Sequence, residues 1–404
     1  MSRRVFVTGM GIISPIGNDL QENLQSLLDC RPGIGPIRYI DTILKSEIPV
    51  GQIVLDHERL FSMAGLSPEK GYSRNTLLGM IAAREAWMSA RAGEAMNIVT
   101  GLVSATTVGG MDQCELYYQD FLTNDSRNEY IESYDCADST ERIAVSLGIT
   151  GIATTISTAC SSAANAILFG ARLIKAGLLD RVLAGGTESL TKFHLNGFNA
   201  LKILDKSPSR PFDATRAGIN LGEGAAYLVL ESEEALSMTG NSTVCELIGY
   251  GNACEAFHQT ASSPDGIGAY LAMEKALVMS GIEPAQIDYI NAHGTGTDNN
   301  DLAEGKAIEK LFGGRIPYVS STKPFTGHMT SAAGSAEAIF AILCLQNKVI
   351  WPNLNFTQPM PELSFRPVEK LVTSIPVNIV MTNSFGFGGN DTALVFRKLG
   401  EWTS

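Results

Sequence analysis

The 404-residue chain is short of positive charge and of long apolar runs. It has 30 Lys and Arg against 42 Asp and Glu, which gives a net charge of −12. Nucleic-acid binding relies on basic residues that neutralise phosphates, so we expect no nucleic-acid partner. No apolar stretch reaches the roughly 20 residues of a membrane span. The N-terminus has neither the apolar region nor the small-residue cleavage site of a signal peptide. We therefore expect no membrane association.

Paired cysteines and paired histidines are also missing. The seven cysteines are odd in number and none has C-x-x-C spacing, which argues against a disulfide framework and a zinc site. The five histidines show neither H-x-x-H nor H-E-x-x-H spacing. The sequence thus predicts a reduced, cytoplasmic protein without a metal site.

Apolar and small residues make up much of the chain. Hydrophobic residues account for 45% and charged residues for 18%, with 40 glycines, which indicates a compact globular protein rather than a disordered one. A single hydrophobic core stops growing near about 250–300 residues. A chain of this length therefore predicts two domains, or one fold made of two halves.

Short β-branched segments alternate with Ala-rich segments, which predicts an α/β fold. The polar and aromatic segment 112–142 is expected to be an ordered excursion or lid that is able to form an interface. Strands are predicted over residues 4–8, 98–102, 181–185, 226–231, 244–251, 289–292, 318–320 and 393–397, and helices over residues 75–90, 161–176, 267–280, 301–312 and 331–345.

Two pairs of segments repeat the same order of features. The stretch TTISTACSSAANAILFGARLIKAG reads as strand, Ser/Thr-rich turn and small-residue helix, and so does IPYVSSTKPFTGHMTSAAGSAEAIFAILCL. MNIVTGLVSATTVGG and IDYINAHGTGTDNND each read as a strand that ends in a Gly/Thr loop. These repeats predict two similar halves, residues 1–240 and residues 241–404, with a site at their shared boundary.

Cys160 is the candidate nucleophile of the first half. It lies in Thr-Ala-Cys-Ser-Ser, after a predicted strand and at the start of a predicted helix. The positive end of a helix dipole lowers the pKa of a thiol and favours the nucleophilic thiolate. Cysteine is also often a small buried hydrophobic residue, and this is the interpretation for the other six.

Two histidines of the second half lie in glycine-bearing loops directly after predicted strands. They are His293 in NAHGTGT and His328 in KPFTGH. Such loops commonly carry site residues in α/β folds. The other three, His57, His194 and His258, have no such context and are expected to be structural.

Two further features are candidates for supporting roles. Glu337 is the only charge of the apolar helix 331–345, and a buried carboxylate needs a partner, for which Lys323 is nearest in sequence. An exposed Glu337 is the alternative. The segment NSFGFGGN at residues 383–390 is expected to be a glycine loop between two strands. Its unshielded N–H groups suit an oxyanion hole, although such loops also close plain hairpins.

Taken together, these segments resemble the β-ketoacyl-[acyl-carrier-protein] synthases, the condensing enzymes of fatty acid and type II polyketide synthesis in the thiolase superfamily. The matching motifs, in order along the chain, are VFVTGMGIISPIGN, STACSSA, PFDATRAGINLGEGAAYLVLE, NAHGTGT, KPFTGH and NSFGFGG. Six ordered motifs that run almost end to end make the match specific. The resemblance implies the thiolase-like five-layer αβαβα fold.

The resemblance also implies the reaction. Cys160 would take the growing acyl chain from an acyl carrier protein as a thioester. Malonyl-carrier protein would then bind, and His293 and His328 would support its decarboxylation and stabilise the enolate. Attack of the enolate on the acyl thioester would extend the chain by a two-carbon unit. Lys323 would tune His328 and pair with Glu337.

Further implied roles concern substrate binding. The backbone N–H groups of Cys160 and Phe387 would form the oxyanion hole, and the Phe387 side chain would act as a gate. Thr295 and Thr297 would hydrogen-bond the phosphopantetheine arm. The resemblance implies no bound cofactor, because carrier-protein phosphopantetheine delivers the substrates. It also implies a homodimer, or a heterodimer with a ketosynthase-like chain.

Departures from the family pattern leave the pathway open. The family usually has Gly-Ala-Ala-Gly after the second histidine motif, Gly-Asp after the first and Gly-Gly-Thr-Asn in the closing loop. Here the residues are SAAG (331–334), Asn300-Asp301 and Gly389-Asn390-Asp391. They favour a specialised polyketide or pigment polyene pathway over housekeeping fatty acid synthesis.

Three alternative functions would each need residues different from these. A non-catalytic chain-length-factor-like partner of a ketosynthase would lack the cysteine, a degradative thiolase would need a second cysteine near the closing loop, and a plain hydrolase would need G-x-S-x-G. The basic residues Lys70, Arg74 and Arg210 are candidates for docking an acidic carrier protein.

Overall fold

A computed structural model of the chain describes residues 3–68, 71–94 and 98–399. Its strands are β1 (Val5–Ile13), β2 (Ile34–Gly35), β3 (Val50–Gly51), β4 (Thr100–Ala105), β5 (Ala153–Ile156), β6 (Arg181–Glu188), β7 (Gly224–Ser232), β8 (Cys245–Cys254), β9 (Tyr289–Asn291), β10 (Tyr318–Ser320), β11 (Val349–Ile350), β12 (Val372–Thr373), β13 (Ile379–Gly386) and β14 (Asn390–Arg397).

The helices alternate with these strands through most of the chain. None of the helices in the described ranges is long and apolar enough to cross a membrane. They are α1 (Leu20–Leu28), α2 (His57–Ala64), α3 (Arg74–Ser89), α4 (Met111–Tyr117), α5 (Asn128–Glu132), α6 (Cys136–Leu147), α7 (Ser162–Lys175), α8 (Lys192–Ala200), α9 (Glu233–Thr239), α10 (Ile267–Ser280), α11 (Asp298–Phe312), α12 (Lys323–Thr326) and α13 (Ala333–Asn347), with 3₁₀ turns at Ala92–Glu94, Tyr118–Asp120, Asp125–Arg127, Pro284–Gln286, Thr330–Ala332 and Phe387–Gly389.

Ten strands form one mixed sheet in the order β10-β9-β13-β14-β8-β1-β7-β6-β4-β5. The two ends of this order are equivalent, because β10-β9-β13-β14-β8 in one half corresponds to β5-β4-β6-β7-β1 in the other. The outer strands of each half pair in parallel and the inner strands in antiparallel fashion. The halves join where β1 pairs with β8. The prediction of two similar halves is confirmed.

Helices pack in three layers around the two halves of the sheet. α7 and α13 lie between them in the central core, where they contact strands of both halves. α3 covers the outer face of the first half together with α2 and α6. α10 and α11 cover the outer face of the second half. The predicted five-layer αβαβα arrangement is therefore confirmed.

The central position of α13 follows from its composition. It has no polar face, and every residue from Ala333 to Leu345 is buried. Gly334 permits the close crossing with α7, since a Cβ there would lie 2.8 Å from the backbone nitrogen of Ala164. α7 belongs to the first half and α13 to the second, and both helices contribute residues to the site described below.

The predicted element bounds differ from the structure at both ends of the chain, since the first strand, predicted over residues 4–8, is β1 (Val5–Ile13). α10 and β10 coincide with the predicted residues 267–280 and 318–320. The glycine loop expected over residues 383–390 is wrong in extent, because NSFG belongs to β13 and the turn is only Phe387–Gly389. Segment 112–142 is ordered, with α4, α5 and part of α6. The expected boundary at residue 240 falls on Gly240, which ends α9.

Candidate active site

Cys160 lies in the tight connection from β5 to α7. Ala159 adopts a left-handed φ of 53°, which is strained for a residue with a side chain and turns the chain sharply before the cysteine. Ser162 braces the turn, since its hydroxyl accepts from the Thr158 N–H at 2.8 Å and donates to the Ala159 carbonyl at 2.6 Å. The cysteine side chain is 5% exposed and lines a cavity.

The second half brings two imidazoles to the same cavity. His293 follows β9, and His328 follows α12 through Gly327, which has a φ of 71°. The Cys160 sulfur and one ring nitrogen of each histidine all lie within 4.8 Å of one another. The two rings are 5.3 Å apart, centre to centre, and nearly perpendicular at 83°. The structure thus groups the three residues that the sequence singled out.

Lys323 lies between His293 and Glu337. Its Nζ lies 3.2 Å from Nδ1 of His293 and donates to the His293 carbonyl oxygen. It also forms a buried ion pair with Glu337, so the predicted pairing is present and the exposed alternative for Glu337 is wrong. The hydrogen bond of Lys323 to His293 was not expected, whereas the effect of its charge on the pKa of His328 agrees with the implied tuning of that histidine.

Burial sets the ionisation of the site. It lowers the pKa values of His293 and His328 well below their usual range, and the Lys323 charge adds to the effect. Both imidazoles are therefore neutral near pH 7. Neither ring nitrogen of His328 has a hydrogen-bond partner among the described residues. A neutral imidazole with free nitrogens is able to hydrogen-bond a substrate oxygen.

The thiol does not have the low pKa that the helix start suggested. Burial raises the pKa of Cys160 to about 11, against the lowering effects of the Lys323 charge and of the Phe387 N–H, which hydrogen-bonds the sulfur. The resting cysteine is therefore a neutral thiol, and its proton must leave during the reaction. Burial also raises the pKa of Glu337 to about 7, although Lys323 opposes this.

The Phe387–Gly389 turn closes over the sulfur. The Phe387 N–H points at Sγ of Cys160, and its ring stacks on Phe198 of α8 with centres 5.7 Å apart. Thr295 and Thr297 lie in the same cavity, with their hydroxyl oxygens 2.8 Å apart. The structure thus places all three of these predicted residues around the nucleophile.

The cavity has a volume of about 290 Å³. Its inner wall carries the buried sulfur and imidazoles, and its exposed lining residues, which include Lys202, Asp298 and Asn299, form the mouth. The sulfur and ring nitrogens are also close enough together for a metal ion. A cation there would be repelled by the Lys323 ammonium 3.2 Å from His293, so the absence of a metal stays our prediction.

Glu304 is a site residue that the sequence reasoning missed. It reaches from α11 and accepts hydrogen bonds from the N–H groups of His293 at 2.9 Å and Gly294 at 2.8 Å. Burial raises its pKa to about 7. The signal was present, because Glu304 interrupts the small, apolar face of the predicted helix. His194 was expected to be structural; it lies beside Phe198, which lines the cavity.

The two described residues among those suggested for carrier-protein docking, Arg74 and Arg210, are both held in ion pairs. Arg74 is buried in an ion pair with Glu223, so its proposed docking role is wrong. Arg210 pairs with Asp205 at 3.1 Å. Lys70 lies outside the described residues. Lys202, which the sequence reasoning did not single out, is the cation at the cavity mouth among the residues that the structure describes.

Comparisons with known proteins agree with this geometry. Residues 2–235 match the family described as Beta-ketoacyl synthase, N-terminal domain, and residues 244–357 match its C-terminal domain. The 3-oxoacyl-[acyl-carrier-protein] synthase 2 of Staphylococcus aureus (strain COL) is 33% identical over 410 residues, which cover 98% of this chain and 99% of that protein.

Solved structures show the same architecture. "The ishigamide ketosynthase/chain length factor" superposes with a TM-score of 0.92 at 30% identity, over 99% of this chain and 100% of the other. A type II polyketide ketosynthase solved with its acyl-carrier protein and bound to the hexaketide (AntDE:AntF) has a TM-score of 0.86 at 25% identity, over 99% and 100% of the two chains.

Proposed function

Because the chain belongs to the β-ketoacyl synthase family, we propose that the cavity between its two halves is where it joins two acyl groups. The protein is a 3-oxoacyl-[acyl-carrier-protein] synthase, an acyltransferase that condenses malonyl-carrier protein with an acyl thioester. The observation that carries the assignment of the site is the grouping of one sulfur and two imidazoles within 4.8 Å.

The first half-reaction is acyl transfer to Cys160. The sulfur attacks the thioester carbonyl of the acyl-carrier protein, the bond from carbon to the pantetheine sulfur breaks, and the cysteine proton passes to that leaving sulfur. The negative charge on the carbonyl oxygen is met by the N–H groups of Cys160 and Phe387. Such prearranged donors act strongly in a site that excludes water, where each is worth about 2.7–4 kcal/mol.

The second half-reaction is decarboxylation and condensation. The carbon–carbon bond to the malonyl carboxylate breaks and releases CO₂, and its electron pair forms an enolate on the thioester. His293 and His328 are neutral, so their N–H groups stabilise the enolate oxygen without protonating it. The enolate carbon attacks the acyl carbonyl carbon, the bond from that carbon to the Cys160 sulfur breaks, and the departing thiolate takes a proton from solvent water. Covalent capture makes this step effectively intramolecular.

The supporting residues fix these groups in place. Lys323 fixes the ring of His293 through Nδ1, which leaves the other ring nitrogen for the substrate. Thr295 and Thr297 bind the phosphopantetheine arm along the cavity wall. No metal or bound cofactor has a role in this scheme, because the thiol, the imidazoles and the backbone donors supply the chemistry. We expect a chelator such as EDTA to leave activity unchanged.

The alternatives fit the site less well. A chain-length-factor-like partner lacks the nucleophile, which is present here and lies beside both imidazoles. A degradative thiolase needs a second thiol in the site. Cys254 does approach the closing turn, with its sulfur 3.7 Å from the Gly388 carbonyl oxygen, but it is exposed and does not line the cavity.

Partners and location follow from the same chemistry. We propose an acyl carrier protein as the substrate carrier and a ketosynthase-like chain, identical or related, as a partner, in a fatty acid or a type II polyketide or polyene pathway. A solved relative contains its carrier protein, and another is described with a chain length factor. All seven cysteines are free thiols, which supports a cytoplasmic location.

The test is acyl transfer followed by mass spectrometry. The protein is incubated with acyl-carrier proteins of several chain lengths and with malonyl-carrier protein, and intact masses of enzyme and carrier are read. We expect an acyl adduct on Cys160 and a chain extended by a two-carbon unit. Cys160→Ala abolishes both, whereas Cys30→Ala, which removes a half-buried thiol outside the cavity, leaves both unchanged. Normal elongation by Cys160→Ala would contradict the assignment.

A further inference from the structure

The two ends of the Phe387–Gly389 turn both rest on the chain that carries Cys160. Gly386 and Asn390 pair across β13 and β14 and so close the turn. Gly386 packs its bare backbone against this chain, since a Cβ there would lie 2.9 Å from the Thr158 carbonyl oxygen. Any residue with a side chain would push this end of the turn away from the nucleophile.

Asn390 holds the other end of the turn. Its side-chain oxygen accepts from Asn165 Nδ2 at 2.8 Å and from Asn252 Nδ2 at 3.0 Å, and it lies 2.9 Å from Ser161 Oγ, whose single hydrogen it shares with the Thr158 carbonyl oxygen at 2.8 Å. Two of these donors belong to the start of α7 in the first half. Asn252 belongs to β8, so the single oxygen of Asn390 joins three elements of both halves.

The donors around Asn390 are themselves held in place. Asn165 accepts from Asn252 at 3.0 Å and from Thr392 at 2.8 Å through its own side-chain oxygen. Ser161 and Thr392 are fully buried, and Asn165 is 9% exposed. A hydrogen-bonded cluster of this kind is rigid because each buried polar group depends on its neighbours for satisfaction.

This arrangement bears on one donor of the oxyanion hole. Residue 387 lies between the two fixed ends, and its N–H points at the Cys160 sulfur. The other donor is the N–H of Cys160, next to Ser161. The bond between Asn390 and Ser161 therefore sets the spacing between a donor on one half of the molecule and a donor on the other.

We propose that Asn390 is a positioning residue that holds the Phe387 N–H on the Cys160 sulfur and thereby controls acyl transfer. The inference rests on the proposed function of Cys160 and adds a residue to it. The imidazoles of His293 and His328 are held by other elements, so Asn390 does not control malonyl decarboxylation. Loss of Asn390 should separate the two half-reactions.

The experiment compares four variants with the wild-type protein. Asn390→Ala removes the acceptor, and Asn390→Thr restores a hydroxyl oxygen of shorter reach. Asn241→Ala is the matched control: it removes a half-buried asparagine that bonds the Ala90 carbonyl at 2.7 Å and Glu231 at 3.1 Å, outside the cavity. His293→Ala serves as a reference that affects the opposite half-reaction.

Three readouts are measured for each variant. They are the rate of acyl transfer to Cys160, the rate of malonyl decarboxylation, and the pH profile of iodoacetamide alkylation at the Cys160 peptide. For Asn390→Ala we expect acyl transfer to fall about 10–100-fold, decarboxylation to stay within about threefold, and the alkylation profile to move to higher pH, because the thiolate loses its N–H donor. Asn390→Thr recovers part of each effect, and Asn241→Ala shows none.

Two outcomes would overturn the proposal. One is acyl transfer and decarboxylation falling together in Asn390→Ala, and the other is an alkylation profile equal to that of the wild-type protein. If Asn390→Ala does not fold, Ser161→Ala is used in its place, because it removes one of the groups that bond Asn390. We then expect a smaller shift of the alkylation profile to higher pH, and no shift at all would overturn the proposal. If wild-type Cys160 takes no acyl group, the proposed function fails, whereas the alkylation comparison still tests Asn390.

Discussion

His328 occupies an unusual position for a buried histidine, since both of its ring nitrogens lack a partner among the described residues. Buried polar atoms nearly always find a hydrogen bond, and an unpaired one costs about 1–3 kcal/mol. His293, in contrast, is held at Nδ1 by Lys323. The site therefore contains one imidazole with a fixed orientation and one whose nitrogens are both left for the substrate.

The ion pair below His293 gives a stability prediction. Lys323→Met leaves Glu337 buried without its cation, and we expect a loss of about 3–5 kcal/mol in the free energy of unfolding, measured in urea. The double variant Lys323→Met/Glu337→Leu recovers most of this loss but stays inactive, because His293 is no longer held.

An exposed lysine provides the control for this prediction. Lys206 pairs with Glu47 at the surface, where their side chains are 71% and 52% exposed. Lys206→Met breaks this pair and should leave the free energy of unfolding nearly unchanged. If Lys323→Met and Lys323→Met/Glu337→Leu had equal free energies of unfolding, the unpaired buried carboxyl of Glu337 would not destabilise the protein, and the prediction would be wrong.

Asp391 gives a prediction on pH. The Asp391 residue is only 2% exposed. Its Oδ2 atom and the Oε2 atom of Glu255 face each other across Gly268, since both lie within 3.0 Å of the position that a Cβ of Gly268 would occupy. Burial, together with the charges of Glu255 and Glu304, raises the pKa of Asp391 to about 8. The unfolded chain ionises this group first, so stability falls as the pH rises from about 4 towards 8.

The substitution Asp391→Asn removes the cost of ionising a buried carboxyl. We expect Asp391→Asn to raise the melting temperature by a few degrees at pH 8 and by little at pH 5, as measured by calorimetry. The same increase at both pH values would mean that ionisation of Asp391 does not limit stability. Glu362→Gln, which changes an exposed acid of the C-terminal half, is the control and should show no such trend.

At the level of elements, the sequence predicted those whose ends are marked locally. α10 stops at Gly281, which has a φ of 64°, and its predicted end is correct. β13 was missed in part because its last residues, NSFG, look like a glycine loop, and its strand identity depends on pairing with β9 and β14. Such contacts between distant residues have no signature in a short window.

The hydrogen bond of Lys323 to His293 was missed for a related reason. His328 is nearer in sequence, but β9 and β10 are parallel neighbours, so the residues that follow them meet at one edge of the sheet. His293 follows β9 and Lys323 follows β10, which places the ammonium at His293. The grouping of Cys160 with both histidines was predictable, because the repeat placed equivalent strands and helices in the two halves.

The crossing of α7 and α13 is the element-scale prediction. Gly334→Ala places a methyl group 2.8 Å from both the Ala164 nitrogen and the Ser384 hydroxyl oxygen, so the helices must separate. We expect a loss of about 1–3 kcal/mol in unfolding free energy and reduced acyl transfer. Gly197→Ala in α8 meets no atom within 4 Å and should be neutral or stabilising by about 0.5–1 kcal/mol. Equal stabilities for the two variants would contradict this.

At the scale of the whole molecule, the net charge of −12 opposes the approach of an acidic carrier protein. Lys202 at the cavity mouth offers a local attraction. We expect Lys202→Glu to raise the KM for carrier-bound substrates about tenfold and to leave turnover of free pantetheine thioesters unchanged. Lys370→Glu, an exposed change away from the cavity, is the control. An equal loss with both kinds of substrate would show that Lys202 acts on the reaction instead.

The sulfur and both imidazoles open onto a single cavity, so the two carrier proteins compete for one entrance. The first must depart, unloaded, before the second arrives. Double-reciprocal plots of the rate against the concentration of one carrier, at several concentrations of the other, should accordingly be parallel lines. An excess of either carrier should slow turnover, because it binds the enzyme form that reacts with the other carrier. The ratio of loaded to unloaded carriers in the cell would then regulate chain growth with no separate effector.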